Sequence, residues 1–368
     1  MHDFELDAWH MARALDLAKR GEGAVEPNPM VGCVIVRDGE IVGEGHHAKF
    51  GGPHAEVAAL GVAGARAKGA DVYVTLEPCA HQGKTPPCSQ ALIDAGPRRV
   101  VVAQRDPFAE VAGRGIEQLL AAGIDVEVGL LEAEARQLNA PYLKVIETGR
   151  PWIIAKWAMS LDGKLATHTR DSRWISCKAS QAIVHRLRAR ADAILVGSKT
   201  AAADDPLLTA RPPGVRTATR IVLDSHASLA LESQLVRTAD EVPVIVATSE
   251  EAPAKQRQRL AESGCDVLVC EGTTAHERLP WLLHELGRRR MTNVLVEGGG
   301  QVLGSLLDLD QIDEVHAFIA PKLIGGADAP PAFAGRGIDR LSDALRLGDV
   351  RIEQSGTDIY VRGRVARG

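Results

Sequence analysis

The sequence predicts an α/β protein of two domains, residues 1–148 and 149–368, and three observations carry that expectation. The chain has 368 residues, more than one hydrophobic core ordinarily organises. Apolar runs of strand length alternate along it with stretches of helical period, the order of an α/β layer fold. Between about 132 and 151, "EAEARQLNAPYLKVIETGRP" loosens both patterns and ends in Gly-Arg-Pro, which reads as a connecting segment.

The first domain opens on "MHDFELDAWHMARALDLAKR", an amphipathic helix pattern with acids in its first turn, without the positive start and apolar block of a signal peptide. In "NPMVGCVIVRDGEIVGEG" two apolar runs flank Asp38-Gly39, a strong hairpin signal. Then "PHAEVAALGVAGARAKGA" reads as a helix, "DVYVTL" as a buried strand, "CSQALIDAG" as a helix closed by Gly96-Pro97, and "RRVVVAQ" as a strand. "GRGIEQLLAAG" and "IDVEVGLL" add one more of each. The second domain repeats this logic, with strands at "WIIAKWA", "DAILVGS", "TRIVLDS", "VPVIVATS", "DVLVC", "TNVLVEG" and "EVHAFIAP". Helices such as "ASQAIVHRLRARA" and "LPWLLHELGRRR" lie between them, and the near-continuous apolar strands suit a mostly parallel sheet covered on both faces.

Hydrophobic residues at 45% and charged residues at 25%, without a low-complexity tract, place the chain among globular proteins. A formal net charge of −5 and no dense Lys/Arg run argue against nucleic acid as a partner and favour a small molecule. No run approaches the length of a membrane span, so no membrane partner is expected. The six cysteines, Cys33, Cys79, Cys88, Cys177, Cys265 and Cys270, are scattered rather than dense, which points to a reducing, cytoplasmic compartment.

The stretch "LEPCAHQGKTPPC" holds two of those cysteines, and a disulfide loop, a phosphate loop and half of a metal site compete for it. A reducing compartment weighs against the disulfide. "QGKTPPC" lacks the earlier glycine of a phosphate loop, and Pro-Pro interrupts the amides that would cradle phosphate. Hydrolytic zinc wants three protein ligands and an open fourth position, and His54, Cys79 and Cys88 supply that count. Glu56, two residues after His54, is a carboxylate able to move protons. Zinc deaminases carry the same order, H-x-E then P-C-x-x-C, although here eight residues rather than two separate the cysteines. His54 and Cys88 both stand at helix starts, where the dipoles favour thiolate over thiol. The inserted loop carries His81 and Lys84, residue types suited to an anionic substrate.

A second constellation lies in the other domain. "TNVLVEGGGQVLGSLL" is a strand, Gly298-Gly299-Gly300 and a helix, a turn that lets backbone amides approach a pyrophosphate or simply a tight connection. Lys156 sits inside an apolar run, where a lysine needs a partner or a task. Thr200, Asp204 and Asp205 follow "DAILVGS" at the carboxyl end of a strand, where α/β sheets bind ligands.

The whole chain resembles the bifunctional riboflavin-biosynthesis deaminase-reductase family. The resemblance is carried by "PNPMVGCVIV", "GEGHHAKFGGPHAEV", "YVTLEPCAHQGKTPPC", "KWAMSLDGKLA", "LRARADAILVGSKTAAADDPLLTAR" and "VLVEGGG". It implies a cytidine-deaminase-like N-terminal domain holding Zn2+ and a C-terminal domain similar in fold to dihydrofolate reductase that binds NADPH. The implied reactions are deamination of 2,5-diamino-6-ribosylamino-4(3H)-pyrimidinone 5′-phosphate, then reduction of the ribose of the deaminated product to a ribityl chain. By resemblance Asn28, His47, His81 and Lys84 touch the deaminase substrate. Ala158, Trp174, Thr200, Asp204, Ser225, Gly299, Gly300, Gln301, Val302, Leu303, Gly304 and Ser305 surround NADPH. Ser172, Arg188, Leu208, Arg211 and Glu297 surround the reductase substrate, two arginines suiting its phosphate. Lys156 and Asp204 are the candidates for polar assistance at the reacting carbon, and a homo-oligomer is implied. The competing expectation is a zinc deaminase of another nucleoside or a tRNA base, with a non-catalytic second domain.

Overall fold

Two units divide the chain between Gly149 and Arg150, and the computed structural model describes residues 2–80, 87–108 and 112–367. In the first unit α1 (His2–Ala18) precedes β1 (Gly32–Arg37) and β2 (Glu40–His46). These strands pair antiparallel around Asp38 and Gly39, whose φ angles of 52° and 80° are those of a type I′ turn. Then follow α2 (Ala55–Ala63), β3 (Asp71–Val74), α3 (Cys88–Ala95), β4 (Arg99–Val102), α4 (Arg114–Ala121) and β5 (Asp125–Val128). The sheet order is β2-β1-β3-β4-β5, with β3, β4 and β5 parallel. Alternate residues feed opposite faces. Val72, Val74, Val100 and Val102 pack with Ala59, Leu92 and Leu119 of α2, α3 and α4. Tyr73 and Val101 pack with Met11, Ala14 and Leu15 of α1.

The start of α2 is seated on β2 through the missing side chain of Gly45. A Cβ there would lie 2.4 Å from the Ala55 carbonyl oxygen, inside any allowed contact. The stretch expected as a connection instead forms α5 (Glu132–Leu138) and α6 (Ala140–Thr148). Pro141 lies in the first turn of α6 and Gly149 closes it in the left-handed region at φ 69°. Each helix is short and fully buries a single side chain, Ala135 in α5 and Leu143 in α6, too few to show a helical period.

The second unit comprises β6 (Trp152–Ser160), α7 (Lys178–Arg190), β7 (Ala193–Gly197), α8 (Ser198–Asp204), β8 (Thr219–Leu223), α9 (Gln234–Arg237), β9 (Val244–Thr248), α10 (Ala254–Glu262), β10 (Asp266–Val269), α11 (Ala275–Arg288), β11 (Asn293–Val296), α12 (Gly300–Asp308), β12 (Glu314–Ala320), β13 (Arg346–Ser355) and β14 (Asp358–Ala366). The sheet order is β10-β9-β8-β7-β11-β6-β12-β14-β13. The run from β10 to β12 is parallel, and the last two strands are antiparallel. That closing hairpin was absent from the expected strands. Most of β13 is exposed, and Arg351 and Glu353 interrupt its apolar residues, so neither strand shows a buried run.

Chain order places the working end of this sheet. From β7 the chain moves outward to β8, whereas from β11, its neighbour, it moves through α12 to β12 on the other side. The two connections part at the carboxyl ends of β7 and β11, the crevice where such sheets bind ligands. There α12 lies against the segment after Pro330, and a Cβ on Gly304 would fall 1.2 Å from the Ala334 carbonyl oxygen. Gly304→Ala is therefore expected to cost about 1–3 kcal/mol or more, read as a lowered urea midpoint. No helix among the described residues is long and apolar enough to cross a membrane.

Candidate functional site

His54 is the residue that caps α2, Cys88 is the first residue of α3 after Pro87, and Cys79 stands in the loop after β3. Three separate elements thus converge. His54 Nδ1 lies 3.6 Å from Cys79 Sγ and 3.3 Å from Cys88 Sγ. The Cys88 N–H donates to Cys79 Sγ at 3.3 Å, and all three ligand atoms lie within 4.8 Å of one another. Tetrahedral zinc with Zn–S near 2.3 Å and Zn–N near 2.0 Å sets its ligands about 3.5–3.8 Å apart. Two sulfurs and one imidazole at these separations fit a zinc with three protein ligands, the set that keeps its fourth position for a water.

The hydrogen bond from Cys88 pulls the Cys79 thiol below its usual range against the effect of burial, with His54 adding to it. The bond to Cys79 raises His54 in return. Glu56, in the first turn of α2, is 3% exposed, and burial pushes its carboxyl up to about 7. Such a carboxyl can both take and give a proton near neutrality.

Asn28 and His47 are brought to the same place. The His47 ring meets the His54 ring edge-on at 5.2 Å between centroids. His47 Nδ1 is 3.0 Å from the Pro53 carbonyl oxygen, which can only accept, so Nδ1 carries the proton. Nε2 then accepts from Asn28 Nδ2 at 3.2 Å. Burial pushes His47 down, which favours this neutral form. His81 and Lys84 lie outside the described residues.

One residue escaped the sequence reading. Glu77, two positions before Cys79, is buried, and its carboxylate accepts backbone N–H groups of Asp106, Gly113, Gly115 and Ile116 at 3.0–3.4 Å. Gly115 approaches so closely that a Cβ would stand 2.0 Å from the Pro78 carbonyl oxygen. Glu77 thereby locks the strand end that presents Cys79. The available signal was an acid after the apolar run of "DVYVTLEPC", since a buried carboxylate must be paid for by donors. Glu77→Gln is expected to weaken zinc about 10–100-fold, measured by competition with a chromogenic chelator.

In the second unit a cavity of about 1460 Å³ opens at the carboxyl ends of β7 and β11. Lys156, Ala158, Ser172, Trp174, Arg188, Thr200, Asp204, Leu208, Arg211, Ser225 and Glu297 all line it. At its base Arg188 Nε and Nη2 donate to the two Glu297 oxygens at 2.6 and 3.0 Å, and Lys156 Nζ stands 3.6 Å from the same carboxylate. Burial alone would raise Glu297, but Arg188 and Lys156 outweigh it and hold the carboxyl at about 2. Burial lowers Lys156, and Glu297 opposes that shift. The partner the sequence demanded for a buried lysine is therefore Glu297. Arg188 Nη1 also donates to the Thr209 carbonyl at 3.2 Å, and with one N–H left on each of Nη1 and Nη2 the guanidinium lines the cavity beside Arg211.

Ser172 Oγ donates to Asp204 Oδ1 at 3.4 Å, and the Gly299 N–H to Thr200 Oγ1 at 3.1 Å. Gly299, Gly300, Gln301 and Val302 form part of the wall. Leu303 instead is fully buried in the core and Gly304 is pressed against Ala334, because a helix face that lines a crevice turns inward after one turn. Ser305, on that same turn, is outside the lining. No side chain caps α12, and a Cβ on Gly299 would come within 3.2 Å of Thr200 Oγ1. The Gly300 and Gln301 amides, at a helix start whose cap carries no side chain, fit the pyrophosphate of a dinucleotide.

Residues 4–104 match the cytidine and deoxycytidylate deaminase zinc-binding region, and residues 151–361 match the RibD C-terminal domain. Riboflavin biosynthesis protein RibD of Actinobacillus pleuropneumoniae is 43% identical over 96% of this chain and 94% of its own length. That of Aquifex aeolicus is 43% identical over 97% of this chain and 98% of its own. Acinetobacter baumannii RibD superposes with a TM-score of 0.87 at 37% identity, covering 99% of this chain and all of that one. The Thermotoga maritima diaminohydroxyphosphoribosylaminopyrimidine deaminase/5-amino-6-(5-phosphoribosylamino)uracil reductase superposes with a TM-score of 0.84 at 35% identity, with the same coverage. Likeness that runs unbroken through both units, at this identity, makes the chain a member of the RibD family of bifunctional riboflavin-biosynthesis deaminase-reductases.

Proposed function

We propose that the first unit hydrolyses an exocyclic amine from 2,5-diamino-6-ribosylamino-4(3H)-pyrimidinone 5′-phosphate. The second then reduces the ribose of 5-amino-6-(5-phosphoribosylamino)uracil to a ribityl chain with NADPH. The observation that carries this reading is the pairing, in one chain, of a zinc-fitting triad beside a buried Glu56 with a crevice at a sheet's switch point. His54, Cys79 and Cys88 would hold zinc, which would supply the acidity that brings a water's pKa toward neutrality. Glu56 takes a proton from the attacking water and passes it to the amine, which leaves as ammonia. Asn28 and neutral His47 orient the pyrimidine, and His81 and Lys84 are assigned to the same substrate on family resemblance.

NADPH supplies the hydride in the second unit. The residues that would hold the cofactor are those at the start of α12 and Thr200 for its pyrophosphate, with Ala158, Trp174, Asp204 and Ser225 for the remainder. Hydride arriving at the first ribose carbon requires a proton on the ring oxygen that leaves it. Lys156, paired with Glu297 at 3.6 Å, and Asp204 are the polar groups assigned to that carbon. Ser172, Arg188, Leu208, Arg211 and Glu297 are assigned to the phosphorylated substrate, with Arg188 and Glu297 paired to each other. The protein is read as a cytoplasmic homo-oligomer without nucleic acid, its size to be measured by light scattering.

A coupled assay on one sample of zinc-loaded protein tests this. Ammonia release from the diaminopyrimidine phosphate, followed by NADPH oxidation, is the expected sequence. No ammonia from that substrate, with activity on cytidine or tRNA adenosine, would move the first unit to another deaminase class. Ammonia without NADPH oxidation would make the second unit a non-catalytic module.

A further inference from the structure

We infer that Arg278, acting with Ser225, makes the crevice select a dinucleotide phosphorylated at the adenosine 2′ position. It thereby discriminates NADPH from NADH. This rests on the proposal above that a nicotinamide dinucleotide fills the crevice. The wall beyond β8 is made by Leu223, Asp224, Ser225 and His226. In nucleotide-binding α/β sheets an acid beyond a strand end takes the free 2′-hydroxyl, and an arginine nearby takes a 2′-phosphate.

The acid at this strand end is not available. Asp224 is 1% exposed, and its carboxylate accepts from Ser228 Oγ at 2.9 Å and from the Leu229 N–H at 2.7 Å. The next residue is fixed for a different ligand. The Ser225 carbonyl accepts from Ser249 Oγ at 2.7 Å and from the Ser249 N–H at 3.2 Å. Its hydroxyl oxygen accepts from Arg278 Nη2 at 3.3 Å, which leaves the hydroxyl proton to donate outward.

Arg278 comes from α11, and its Nη1 donates to the Gly272 and Thr273 carbonyls at 3.2 and 2.8 Å. These three bonds all end on neutral oxygens, so they hold the guanidinium in place without cancelling its charge. Glu277 beside it is engaged with Thr273 and Thr274. A phosphate bonded to Ser225 Oγ would stand next to a fixed cation with donors to spare, the arrangement of a charge-assisted bond.

Arg278→Met in the full chain tests the assignment by reductase kinetics with NADPH and with NADH. The ratio of the two kcat/KM values is expected to shrink about 10–100-fold through KM for NADPH, and Arg278→Lys to recover part of it. Calorimetry with 2′-AMP and 5′-AMP as probes should show the wild type preferring 2′-AMP and the methionine variant losing that preference. An unchanged ratio in a variant of wild-type unfolding midpoint, or equal loss on both cofactors, overturns the inference alone. Wild-type protein that oxidises neither cofactor and binds neither probe overturns the dinucleotide reading with it.

Discussion

Glu56→Gln is expected to lower ammonia release about 10²–10⁴-fold while zinc stays bound and NADPH oxidation continues at its wild-type rate. The glutamine is nearly isosteric, so the packing of a fully buried residue in the first turn of α2 is kept. What disappears is the capacity to accept a proton and give it back. All three ligand atoms, His54 Nδ1 and the two sulfurs, remain in the variant, and a glutamine can still bond the Cys88 sulfur that the Glu56 carboxyl bonds. Zinc content by mass spectrometry and ammonia by a coupled enzyme read the two properties apart. Loss of zinc from the variant would contradict the separation of roles.

Glu297→Gln is expected to destabilise the second unit by about 3–5 kcal/mol at neutral pH, the scale for breaking a buried ion pair from one side. Lys156 and Arg188 would be left facing a neutral amide, with both cations still out of water. The substitution should also suppress NADPH oxidation, since it removes the charge that opposes the lowering of Lys156 by burial. Its pH signature is specific. Glu297 in the fold sits at about 2, below its ordinary 4.5, so its contribution is fully present above about pH 4.5. As pH falls toward 2 that contribution is lost, and the gap between wild type and variant should narrow. Urea unfolding at pH 7, 4 and 2.5 measures it. A gap of constant size would show that the carboxylate charge is not what stabilises the cluster.

Features carried by neighbours in sequence were legible. Asp38-Gly39 forms its turn because both residues tolerate positive φ, whatever lies around them. Helix starts at His54 and Cys88 follow from Pro53 and Pro87, and Gly96 ends α3 in the left-handed region. Zinc chemistry was legible because few residue types make a ligand set, and their order along the chain is short and distinctive. Where burial is slight, the signal failed. The helices at 132–148 and the exposed β13 each hide too few apolar side chains for a period to emerge.

Sequence by itself determined the α/β class, the hairpin, and the residues able to hold zinc and move a proton, because each depends on local backbone preference or on side-chain type. Tertiary structure decided which charges meet. Arg188 and Glu297 are 109 positions apart, and only the packing of α7 against β11 joins these two candidate substrate residues as a buried ion pair. Glu77 likewise closes on amides 29 to 39 residues away, and Arg278 reaches Ser225 across 53. Partners at such separations are chosen by which elements the sheet order makes neighbours, and that order is a property of the whole core.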